Sequence, residues 1–307
     1  MDTTLSLVLG FGYFPGIVVL GLAGLRRYEG KPHSTLSALP RILLGFIIGL
    51  MLSLPVVLVA AWFGHYSPPV TGAFGWILTA CIGRRTTSSV VRHWSRLDSI
   101  LLVTLLLLSA WHGFYRNESI FAGRDEGVYS NHAVHLARTG ALRAEPTFRD
   151  LHQGANAELA SGIQAGGYFF NFEQQNIYFQ FPPTFALTLA TAFGAGSFTG
   201  LFLLNPLLAA LNTGLFFEFS QYLLRRRWAV FATACFSLNL AQVWIAHITL
   251  SEVLTQSWLL VGLILLHHSL QHKNYRLGMM AHALVAACTF VRIDAYLVLL
   301  GLCCFDA

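Results

Sequence analysis

Apolar runs separated by short basic linkers dominate the chain. Stretches with at most one charge cover 5–25, 42–63, 97–114, 199–224, 228–250, 253–268 and 277–291, and shorter ones lie at 70–83 and 295–305. A helix needs about 20 apolar residues to cross the hydrocarbon of a bilayer. The shorter runs imply tilt, local thinning or burial inside a bundle. The pattern predicts an all-α fold, a polytopic transmembrane helical bundle of about eight to nine spans. The run Leu5 to Leu25 has no basic segment before it and no small-residue cleavage site ahead of Arg26, so it is expected to be a retained span. No internal repeat is visible, which weighs against transporter folds built from inverted repeats.

Composition narrows the class. Hydrophobic residues make up 55% of the 307 and charged residues 11%, against about 45–50% and 25% in soluble domains. A soluble globular enzyme, a disordered chain and a coiled coil are excluded. The net charge is +5, from 19 Lys and Arg against 14 Asp and Glu. The basic residues cluster between apolar runs, as in Arg26-Arg27, Arg84-Arg85 and Arg225-Arg226-Arg227. That is a topology signal rather than a nucleic-acid patch. Linkers 26–41 and 84–96 are basic and 64–69 carries no charge, so the first two are expected in the cytoplasm and the N-terminus outside.

The same rule bears on 182–196. If that stretch crossed, Arg225–Arg227, Lys273 and Arg276 would all face outward. An interfacial or re-entrant helix is expected instead, opened by Pro182-Pro183 and closed by Gly194 and Gly196. The chain thus divides into N-terminal helices (1–114), an outer loop region (115–198) and C-terminal helices (199–307). The chain stops inside an apolar run at Cys303-Cys304-Phe305-Asp306-Ala307, so a fragment or a half-enzyme needing a partner is expected. The five cysteines all lie in apolar segments and read as small hydrophobes.

Loop 115–181 holds the candidate chemistry. Its 67 residues carry seven of the 14 acidic groups, and loops of this length are usually functional. Asp125 suits an N-cap, Val128, Tyr129, Ala133, Leu136 and Ala137 form one apolar face, and Gly140 suits a helix stop. An amphipathic surface helix is predicted over 126–139. The adjacent carboxylates Asp125 and Glu126 admit two readings. They are a cap and a dipole partner, or they supply a general base, a metal clamp or both. Glu252 lies in a two-residue turn between apolar runs, and Arg292 near the outer end of a later run, where it pairs with Asp294 or meets an anionic ligand.

The string Ala122-Gly123-Arg124-Asp125-Glu126-Gly127-Val128-Tyr129, through His135-Leu136-Ala137-Arg138-Thr139-Gly140, resembles the first outer loop of the GT-C glycosyltransferases. These polytopic enzymes take sugar from a polyprenyl-phosphate carrier, and they include protein O-mannosyltransferases and lipid A aminoarabinose transferases. Further similar features follow in order. They are the Pro-Pro-led stretch from Phe181 to Gly194, the span from Asn205 to Arg227, Ser251-Glu252 at a helix start, and Arg292 in Val-Arg-Ile-Asp. The resemblance covers roughly 115–300. The chain departs in placing about four spans before the acidic loop, where the protein mannosyltransferases have one.

The resemblance implies Asp125 as base for the acceptor's hydroxyl or amine. Glu126 would be its partner, a ligand in members that use a divalent metal. Arg124, Tyr129, Glu252 and Arg292 would bind substrate. It also implies a glycan, lipid or protein acceptor, membrane lipids around the protein, no nucleic acid, and a bacterial cell (inner) membrane with loop 115–181 outside. A transporter or flippase, and a truncated non-catalytic scaffold, are the alternatives.

Other residues carry weaker signals. His132 and His135, at i and i+3, read as polar-face residues or a metal pair. His267, His268 and His272 read as interface residues, and Glu218 as an interface residue or buried partner. The stretch 168–181 mixes seven aromatics with amides, which suits an interfacial belt or an acceptor cleft. Asn117 heads a glycosylation sequon.

Overall fold

The computed structural model describes residues 3–29, 37–84, 86–87, 94–120, 124–144, 167–171 and 176–298. They fold as α-helices, with one small hairpin. The helices are α1 (Thr3–Phe11), α2 (Tyr13–Glu29), α3 (Ala38–Trp62), α4 (Pro68–Leu78), α5 (Arg96–Phe114), α6 (Asp125–Thr139), α7 (Pro183–Leu223), α8 (Arg226–Leu238), α9 (Leu240–His247), α10 (Glu252–His272) and α11 (Tyr275–Ala287). Five segments are long and apolar enough to cross a membrane: 3–26, 38–62, 96–114, 183–223 and 252–272. Taking the bent pair α8–α9 as one span makes six.

The expected eight to nine spans are therefore not reached among the described residues. The shortfall has physical causes. The run 70–83 forms a 16-residue segment, Pro68–Gly83, ending in a π-helical turn. The run 277–291 forms a 13-residue helix that gives way to 3₁₀ turns, and at 1.5 Å per residue it spans about 20 Å, short of a bilayer. Much of 295–305 lies outside the described residues.

Helices α2 and α3 pack backbone against backbone. A Cβ on Gly49 would fall on the Ile17 carbonyl, and one on Gly21 on the Gly45 carbonyl. Small residues at such crossings permit the close approach that dispersion needs where water supplies no driving force. At the start of α3, Asp98 joins two helix starts. It forms a capping box with Ser95 and also accepts from Ser37 Oγ at 2.8 Å and Leu39 N at 3.1 Å.

Helix α7 breaks inside. Gly196 and Ser197 leave helical geometry, Ser197 with φ +53°. A Cβ on Gly200 would strike the Ala192 carbonyl, eight residues back, so the chain reverses there. The half 183–195 matches the expected Pro-led helix closed by Gly194 and Gly196. It is not a surface helix, however: Thr184 to Ala192 are buried without interruption. A helix apolar on all sides takes an enclosed seat, here among α6, α1 and α4.

Helix α6 runs as expected, one residue early. Arg124, not Asp125, is the N-cap, and Gly140 closes the helix at φ +74°. Asp125 therefore belongs to the first turn. Within 168–181 the described residues form two strands. Tyr168–Asn171 pairs antiparallel with Asn176–Phe179, and Phe179 stacks on His132 at 3.9 Å.

The α2–α3 crossing yields a direct test. Gly49→Leu should destabilise the detergent-solubilised protein by at least about 3 kcal/mol, because backbone cannot yield. Gly24→Leu, whose Cβ meets only side chains, should cost clearly less. Thermal unfolding of the two variants checks the order.

Candidate functional site

Four segments remote in sequence meet around Tyr129. The first turns of α6 carry Asp125, Glu126 and Tyr129, and a spacing of four places Asp125 and Tyr129 on one helix face. Phe181, just before α7, and the first half of α7 supply the floor: Tyr129 stacks on Phe181 at 4.6 Å and meets Phe185 edge-on at 5.0 Å. The start of α10 brings Ser251 and Glu252, and the irregular chain after α11 brings Arg292 and Asp294.

The polar contacts are specific. Tyr129 donates its hydroxyl proton to Ser251 Oγ at 3.0 Å. Arg292 forms an ion pair with Glu252 Oε1 and a two-pronged one with Asp294, Nε to Oδ1 and Nη2 to Oδ2, both at 2.8 Å. Of its two partners Asp294 is the more exposed, 58% against 36%. The second oxygen of Glu252 is buried without a hydrogen-bond partner. Asp125 is exposed and Glu126 half-buried. Among the described residues no hydrogen bond or ion pair takes up either carboxylate or the exposed Arg124.

Burial pushes the Tyr129 hydroxyl up to about 12, with the bond to Ser251 opposing. The charges of Glu252, Arg292 and Asp125 all act on it, which ties Asp125 to the same site. The phenol is therefore a neutral hydrogen-bond donor, not a base. Asp294 is held below the usual carboxylate range, first by its hydrogen bond to Arg292.

Amides missed by sequence reasoning position this cluster. Between α9 and α10 the chain leaves helical pairing through a short turn, and side-chain amides supply donors to its carbonyls. Asn205 Nδ2 donates to the Ile248 carbonyl at 2.5 Å and the Leu250 carbonyl at 2.9 Å. Two helical turns further along, Asn212 donates through Nδ2 to the Val253 carbonyl at 2.8 Å and accepts at Oδ1 from Ser257 Oγ at 2.6 Å. Gln256 joins Asn212 and exchanges hydrogen bonds with Gln242. The available signal was the seven-residue spacing of two asparagines in an apolar run.

No protein-family model, curated protein or solved structure matches the chain. The site must be read from its own geometry.

Arg124, Asp125, Glu126 and Tyr129 thus lie on one turn and a half of helix, and Tyr129, Glu252 and Arg292 are brought together with them. The histidine pair is not. His132 is buried against Phe179, and burial pushes it down to about 3. His135 lies 2.9 Å from the Arg143 carbonyl. Among the described residues no group of three or more His, Cys, Asp or Glu could hold a metal. Of the aromatic stretch, Phe179 and Phe181 pack inside the protein, while the side chains of 170–175 lie outside the described residues. His267 and His268 pack around Tyr222, which donates to Glu218 at 2.7 Å, at the opposite end of the helices.

Tyr129 gives a pH prediction. A phenol raised to about 12 when folded contributes stability that is complete below its ordinary value of 10 and lost as pH rises from there to about 12. Tyr129→Phe should remove about 1 kcal/mol at neutral pH through the lost hydrogen bond. It should also make the alkaline decline between pH 10 and 12 shallower. Thermal melts across that range check both.

Proposed function

We propose that the chain is a membrane glycosyltransferase of the GT-C type. It moves a sugar from a polyprenyl-phosphate carrier to a hydroxyl or amine of a glycan, lipid or protein acceptor. In this reading loop 115–181 faces outward from a bacterial cell membrane, where a lipid-borne donor replaces nucleotide sugars. The observation that carries the proposal is the convergence at Tyr129: the charges of Asp125, Glu252 and Arg292 all act on its hydroxyl, Arg292 is paired with Glu252 and Asp294, and Asp125 is exposed with no partner among the described residues.

The chemistry follows from those roles. Asp125 takes the proton of the acceptor oxygen or nitrogen as that atom bonds to the anomeric carbon. The bond from that carbon to the carrier phosphate breaks, and the phosphate leaves with the electron pair. Positive charge develops at the sugar between, and the surrounding carboxylates of Glu126 and Glu252 favour it. Arg292 meets the departing phosphate by exchanging its more exposed partner, Asp294, for phosphate oxygens, a fit suited to the guanidinium fork. Tyr129 stays protonated and holds Ser251, fixing the start of α10 against α6.

The bent α8–α9 pair and the buried amides would also suit a transporter. Yet Asn205, Asn212, Gln242 and Gln256 are engaged with one another or with backbone. That suits structural pins better than a substrate path.

Two measurements test the proposal. Asp125→Asn, reconstituted with a polyprenyl-phosphate sugar, should lose transfer by at least about 100-fold with normal insertion; an unchanged rate removes Asp125 from the mechanism. Native mass spectrometry of the purified chain should show a retained polyprenyl-phosphate mass that Arg292→Ala weakens. Retention of bulk phospholipid alone, with donor supplied, overturns the donor reading.

A further inference from the structure

A groove of about 760 Å³ runs between α5, the second half of α7, and α8. It lies along the helices, away from Tyr129. On α5 alone it extends from Leu97 to Trp111, about 20 Å at 1.5 Å per residue. Helix α5 is the least covered of the five long segments: 22% of its apolar window is buried, against 44–56% for the others.

The groove makes no polar demand along its length. Its hydroxyls turn back onto their own helices: Thr104 to the Ile100 carbonyl, Thr213 to Ala209, Thr233 to Ala229 and Ser237 to Ala234. Each leaves a hydrocarbon surface toward the groove. At the end near Ser95 the polar groups are consumed as well. Asp98 accepts from Ser37, Leu39 and Ser95. Glu218 accepts from Tyr222 and Gln221. Arg226, also lining that end, is different. It is exposed, and no hydrogen bond or ion pair among the described residues engages it. Arg225 and Arg227 flank it in the chain.

We propose that this groove seats one acyl chain of an anionic diacyl phospholipid, with the lipid phosphate at Arg226. Length and lining fit a hydrocarbon chain, since one leaflet's hydrocarbon is about 15 Å deep. The unengaged guanidinium at one mouth selects negative charge. The occupant bridges α5 to α7 and α8, closing the least covered face of the bundle. The site is separate from the Tyr129 cluster, and the proposal stands whether or not that cluster transfers sugar.

Native mass spectrometry of the full chain in detergent, titrated with phosphatidylglycerol or phosphatidylcholine, tests it. The unaltered protein should retain one phosphatidylglycerol through delipidation, with a preference over phosphatidylcholine of about fivefold. Arg226→Gln should abolish the preference while leaving weak retention. Ala234→Trp, which fills the groove, should remove retention of both lipids. Arg138→Gln, on α6, should change nothing. Equal retention of the two lipids by the unaltered protein, no retention, or retention of phosphatidylglycerol that survives both Arg226→Gln and Ala234→Trp would each overturn the proposal.

Discussion

The architecture depends on one requirement: peptide groups that leave helical pairing inside an apolar bundle must find partners within the protein. Unmet, each costs several kcal/mol where no water can substitute. The non-helical turn between α9 and α10 creates that need. Asn205 meets it by donating both amide protons to the Ile248 and Leu250 carbonyls. Asn212 continues the connection into the first turn of α10. Ser251 and Glu252 are thereby fixed relative to α7, and α7 is fixed to α6 through Phe181 and Phe185. The contact between Tyr129 and Ser251 is a result of this chain of constraints.

Electrostatics then shape what the cluster can bind. The charges of Asp125, Glu252 and Arg292 all act on the Tyr129 hydroxyl, and Arg292 pairs with both Glu252 and Asp294. Arg292 gives local relief, held on one side by Glu252 and on the other by the more open Asp294. The asymmetry makes one partner exchangeable and the other a fixture. Removing a partner of a partly buried pair leaves an uncompensated charge, so the trio is also a structural unit.

Much of this was legible in the chain, and the failures are instructive. Helix α6 could be read because its apolar face and Gly140 are local signals, although its cap shifted by one residue. The break near Gly194 and Gly196 could be read from glycine spacing. The burial of 184–192 could not, because hydropathy reports that a segment avoids water without saying whether lipid or protein replaces it. The expected span count is not reached among the described residues for a related reason: the apolar run 277–291 is interrupted by turns. The hairpin at 168–179 was hidden among aromatics whose alternation is irregular. In the site, Asp125, Glu126, Tyr129, Glu252 and Arg292 were individually visible. Their convergence was not, because it rests on amides that look ordinary in an apolar run.

The buried seat of 183–195 carries a consequence for biosynthesis. Its walls come from α1, α4 and α6, all earlier in the chain. Gly194 meets Pro68 and lies beside Gly10. These neighbours precede the segment in the chain, so its contacts with them can form before the later helices are made. Ser251, Glu252 and Arg292 emerge only afterwards. The Asp125 side of the cluster can therefore be in place before α10 and the residues beyond α11 bring Ser251, Glu252 and Arg292 to it.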